Sequence, residues 1–138
     1  MALKIIKVTL NEDGVLDVAD GGKGLEFDAA KGVQIVAWSL SGRELASAWF
    51  PKGRDLPAFT WIDSPDSGIF SDALVAGSGR RLLIDNDHLN AGSVGEWVYM
   101  LRVAYRKQDG STDYYTTTHS RTLKDGTRTS NNPIIINH

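Results

Sequence analysis

Between Glu96 and Lys107 the side chains alternate without a break. Trp97, Tyr99, Leu101, Val103 and Tyr105 share one parity, and Val98, Met100, Arg102, Ala104 and Arg106 share the other. Only an extended strand places every second residue on one face, so this run dictates a β-strand and demands an apolar layer opposite it. Leu3–Leu10 and Val33–Leu40 repeat the pattern, the latter with Val36, Trp38 and Leu40 on one face and Ile35 and Ala37 on the other. A strand apolar on both faces is covered on both sides, so Val33–Leu40 is expected to be central. No window of about a dozen residues sustains an i, i+3, i+4, i+7 apolar stripe without an intervening glycine or proline. The chain therefore reads as all-β.

Shorter extended segments are expected at Val15–Val18, Leu25–Phe27, Leu45–Phe50, Ala58–Ile62, Arg80–Asp85, Thr112–Thr118 and Pro133–Asn137, with Phe70–Ala76 ambiguous between strand and helical turn. They are separated by Asn11-Glu12-Asp13-Gly14, Asp20-Gly21-Gly22-Lys23-Gly24, Gln108-Asp109-Gly110-Ser111 and a polar stretch from 120 to 133, whose Asp, Asn and Gly residues suit reversals. Seven to nine short strands at about ten-residue spacing favour an antiparallel β-sandwich over a closed barrel. With 138 residues the chain is long enough for one core and too short to divide into two, so residues 1–138 are read as one domain.

There is no cysteine, which excludes disulfides, thiolate zinc sites, iron–sulfur clusters and blue copper. Fifteen Lys and Arg against seventeen Asp and Glu give a net charge of −2, too balanced for binding nucleic acid by neutralising phosphates. No run approaches the ~20 apolar residues of a membrane span. Lys4 and Lys7 interrupt the first apolar stretch, so no signal-peptide core is seen and a cytoplasmic location is the expectation.

Gly95-Glu96-Trp97-Val98-Tyr99 resembles the Gly-x-aromatic-x-Tyr entry into the penultimate long strand of immunoglobulin-like sandwiches, and Trp38 resembles their core tryptophan. The resemblance implies an immunoglobulin-like fold here without the usual cysteine pair. The terminal Asn132-Pro133-Ile134-Ile135-Ile136-Asn137 is similar to the closing strand of small bacterial sandwich proteins of the DP-EP type. That similarity implies a fold and carries no catalytic residues.

Several polar groups invite a chemical reading. Asp85, Asp87 and Glu96 fall at the first, third and twelfth positions of a calcium loop, but Leu89 and Asn90 occupy the fifth and sixth, where a ligand and a glycine are needed. Asp85 and Asp87 are left as metal candidates of an irregular oxygen cage, beside the plainer reading as strand-connecting residues. Asp63, Asp66 and Asp72 are a possible acid/base set or a solvated turn. His88, His119 and His138 have no metal-box spacing. Gly77-Ser78-Gly79-Arg80-Arg81 has the glycines and guanidinium forks of an anion nest, with Arg80 and Arg81 as ligand-binding candidates. It lacks the P-loop lysine and the third glycine of a dinucleotide motif, so no cofactor is expected. Of four tryptophans, Trp38 and Trp97 are expected in the core, whereas Trp49 and Trp61 sit near strand ends where sugar rings could stack.

Three functions follow. The first is a non-enzymatic interaction or structural module that binds a protein partner or itself through an edge strand, suggested by Ile134, Ile135 and Ile136, an apolar run with no charged gatekeeper. The second is a carbohydrate-binding module using Trp49 or Trp61. The third is a small hydrolase with Asp63 and Asp66, or Asp85 and Asp87, as its carboxylate pair.

Overall fold

The computed structural model describes residues 2–19, 24–30, 32–118, 120–122, 128–130 and 132–138. His119, Lys23 and the Asp125-Gly126 pair lie outside them. The described residues are all-β, with twelve strands and three single-turn 3-10 segments. No helix among them is long and apolar enough to cross a membrane.

The first sheet contains β1 (Ala2–Leu10), β2 (Leu16–Val18), β4 (Gln34–Leu40), β6 (Leu74–Ala76) and β7 (Arg81–Asn86), in the order β2-β1-β4-β7-β6. The second contains β3 (Leu25–Phe27), β5 (Phe59–Trp61), β8 (Gly95–Arg106), β9 (Thr112–Thr116) and β12 (Ile134–Asn137). A small hairpin, β10 (Ser120–Thr122) with β11 (Arg128–Ser130), stands apart from both. Both sheets are mixed, which corrects the antiparallel expectation. β1 runs parallel to β4 and β3 parallel to β12, because the chain crosses to the other sheet between the members of each pair.

Turn chemistry closes the hairpins. The Asn11 Oδ1 accepts from the backbone N–H groups of Asp13 and Val15, both at 3.0 Å, while Gly14 supplies a φ of 76°. β8 has partners on each edge. β12 covers Gly95–Val98 and β9 covers Arg102–Arg106 on one side, and β5 pairs with Tyr99–Leu101 on the other. Asn132 Oδ1 accepts from the hydroxyls of Thr117 and Thr118 where the β10–β11 excursion leaves and rejoins.

The core is one cluster of buried side chains from both sheets. Ile6, Val8, Val36, Trp38, Leu40, Leu82 and Ile84 come from the first sheet; Leu25, Phe27, Tyr99, Leu101, Val103 and Ile135 come from the second. Trp38 is wholly buried and Trp97 half-buried, its ring lying over Gly95.

Three expectations change. Leu45–Phe50 is not a strand. A 3-10 turn covers Arg43–Leu45, Leu45, Ala48 and Phe50 are buried, and only Trp49 bridges to the sheet, opposite Ala104. The strand count exceeds seven to nine because three-residue strands pair at the sheet borders. Ile134–Ile136 is not at an edge: β12 lies between β3 and β8, and Ile135 is wholly buried.

Candidate interaction face

Strand register decides which side chains share the outer face of the first sheet. Ile6 and Val8 of β1, Val36, Trp38 and Leu40 of β4, and Leu82 and Ile84 of β7 point into the core. Their neighbours must point away from it. Pairing places these outward residues in three rows across the strands. Leu3, Ile35 and Asp85 form one row; Ile5, Ala37, Leu83 and Leu74 form the middle row; Lys7, Ser39, Arg81 and Ala76 form the third.

The middle row is apolar from β1 to β6, and Leu3 and Ile35 widen it. Leu3 is 58% exposed, Ile5 62% and Leu74 63%, while Ile35 and Leu83 are half-buried and Ala37 between them is buried. The band is continuous in register across β1, β4, β7 and β6. Its borders carry opposite charge: Asp85 at one end of the strands, Lys7 and Arg81 at the other.

The residues singled out in the sequence lie elsewhere or do other work. Trp49 lies opposite Ala104 and Trp61 opposite Tyr99, five residues apart along β8, or about 17 Å. The structure does not bring them into one patch. Trp61 is half-buried and packs against Phe59 and Phe70 with ring centroids 4.8 and 4.9 Å apart, and Phe70 in turn meets Trp97 at 5.4 Å. Arg80 directs its guanidinium at the main-chain oxygens of Leu45, Ala48 and Leu40, so it closes off the turn that replaces the expected strand. Arg81 is exposed and belongs to the face described above. The Gly77–Gly79 turn presses on the Trp49–Phe50 segment of the same chain, with the Phe50 N–H donating to the Gly79 oxygen at 2.7 Å.

Alternation separates the polar residues after Ile84. Asn86 and His88 turn inward and are wholly buried, leaving Asp85 and Asp87 facing out. Asn86 and Asn137 exchange amide hydrogen bonds of 2.8 and 3.2 Å between the sheets, and Asn137 also donates to the Ser93 oxygen at 3.0 Å. His88 Nε2 lies 2.6 Å from the main-chain oxygen of His138, so that nitrogen carries the proton. Nδ1 lies 2.7 Å from the Ser93 hydroxyl oxygen, and that hydroxyl donates to the Asn90 main-chain oxygen at 2.9 Å. Every buried side-chain polar atom described is satisfied. This cluster joins β7, the following loop and β12 at one end of the molecule, a role that sequence spacing alone did not signal.

Asp63, Asp66 and Asp72 are exposed, and no group of three or more His, Asp or Glu among the described residues is placed to hold a metal. A groove of about 420 Å³ lies between Pro51–Gly53, Pro57–Phe59 and Ala73–Val75, where β5 and β6 end their sheets. Lys52 is its one ionisable lining residue, so the groove offers shape without an acid/base pair. Comparison with known proteins finds no matching family model, no matching curated protein and no matching solved structure.

Proposed function

We propose that this chain is a non-enzymatic protein-interaction module, an immunoglobulin-like β-sandwich that docks a protein on the outer face of its first sheet. The observation carrying this reading is the Ile5–Ala37–Leu83–Leu74 row, continued by Leu3 and Ile35 and exposed at both ends. Burying such a surface is favourable in proportion to its apolar area, and a sheet face with this composition is solvated only at a penalty. Support for the sandwich reading comes from Trp38 meeting Tyr99 across the core, and from Gly95 giving room to the Trp97 ring at the start of β8.

Binding of the apolar dye ANS tests the face. The intact chain should enhance dye fluorescence, and Ile5→Glu combined with Leu74→Glu should remove most of that signal while leaving the melting temperature within a few degrees. Equal fluorescence from both proteins would contradict the reading.

The half-buried Trp61, Phe70 and Trp97 rings support a second reading, in which a sugar stacks at this end of the molecule. Tryptophan quenching by a glycan panel would favour it over protein docking.

A further inference from the structure

We propose that the occupant of the outer face is a second copy of this chain, related by a two-fold axis lying across the strands along the Ile5–Ala37–Leu83–Leu74 row. The inference rests on the docking-face reading above and names its partner. Two identical faces can meet only about an axis lying in the plane of their contact, since the faces must point at each other. An axis across the strands keeps each strand over its own twin and reverses its direction. The apolar middle row then meets itself, and the Leu3–Ile35–Asp85 row meets Lys7–Ser39–Arg81.

Charge selects this axis. Arg81 of each copy faces Asp85 of the other, giving two symmetry-related ion pairs, and the Lys7 stem covers Leu3 while its ammonium stays in water. An axis along the strands would instead set Asp85 against Ile35 and leave the carboxylate without a cation. Within one copy Arg81 and Asp85 are four residues apart on β7, about 13 Å, which is too far to pair. Neither side chain has a hydrogen-bond or ion-pair partner among the described residues; the ion pair seen there joins Glu26 and His138.

Size fits a weak, reversible dimer. Five strands spaced by ~4.8 Å and a β4 of seven residues give a face of roughly 24 by 23 Å, about 550 Å² per partner, below the ~800 Å² of a standard stable interface. Twisted sheets packed face to face cross at about 30°, a rotation the long Arg81 side chain can follow.

Sedimentation velocity of the full chain over a range of concentrations tests the proposal. The native chain should show a monomer–dimer equilibrium. Arg81→Asp and Asp85→Arg should each weaken it by about tenfold or more, and the two together should restore it to within about threefold of native. Melting curves confirm that each variant folds, and Leu74→Ser, which leaves the charges intact, should also give monomer. A native chain that stays monomeric at millimolar concentration overturns the proposal, as does a double variant no tighter than the single ones. If the chain is monomeric yet Ile5→Glu with Leu74→Glu still removes the ANS signal, the second-copy partner fails and the docking face stands; if the dye signal is also unchanged, both fail.

Discussion

The indole N–H of Trp38 donates to the Tyr99 hydroxyl oxygen at 3.2 Å, joining the two sheets inside their shared core. The rings lie 5.3 Å apart at 56°, and Phe59 stacks on Tyr99 at 5.3 Å and 8°. Tyr99→Phe keeps the packing and strands a buried indole N–H, so a loss of about 1–3 kcal/mol is expected from urea unfolding with an unchanged slope. Trp38→Phe combined with Tyr99→Phe should cost less than the sum of the single changes, since no donor is then orphaned.

Gly79 has a φ of +88°, and a Cβ there would lie 2.8 Å from the Trp49 Cβ. Gly79→Ala should therefore destabilise by about 1–3 kcal/mol, through backbone strain and overpacking together. Gly53 has open space around its Cα, and Gly53→Ala should change stability by no more than about 0.5 kcal/mol. Thermal unfolding of both variants separates steric demand at Gly79 from a general loss of flexibility.

Asn137→Ala removes the partner of the buried Asn86 amide and a donor to the Ser93 oxygen. Chemical unfolding should show a loss of about 1–3 kcal/mol. Asn86→Ala should cost a similar amount, and the double variant less than their sum, because each single change leaves the other amide unsatisfied.

The Ser111 hydroxyl and N–H both donate to the Asp109 carboxylate, holding its pKa below the usual 3.8. A carboxyl lowered in the folded state contributes stability at pH values above 3.8, and that contribution is lost as pH falls through the lowered value. Ser111→Ala should move the Asp109 titration, followed by NMR, up toward 3.8. Tyr105 shifts the other way. Partial burial against the stacked Tyr115 ring, and then the Asp113 carboxylate, hold its hydroxyl above 10.0, so its contribution is present below pH 10 and lost as pH rises through the raised value.

β8 was legible because a twelve-residue alternation has only one backbone solution. The turn after Gly42 was not, since Leu45 and Phe50 look like strand residues. The carbonyls of Leu45 and Ala48 in that turn take their donor from Arg80, more than thirty residues on. The apolar character of both faces of β4 correctly placed it inside a sheet, between β1 and β7. That Leu3, Ile5, Leu83 and Leu74 fall in line with Ile35 and Ala37 depends on the register of β1, β6 and β7, which no local pattern encodes. The same blindness to register put Ile134–Ile136 at an edge.

Hydroxyl-radical footprinting of the full chain at rising concentration tests the central claim most directly. Leu3, Ile5 and Leu74 should lose reactivity as the chain associates, while Ile62, Leu89 and Val94, exposed away from the three rows, keep theirs. Unchanged oxidation at all six positions across the range would contradict the account.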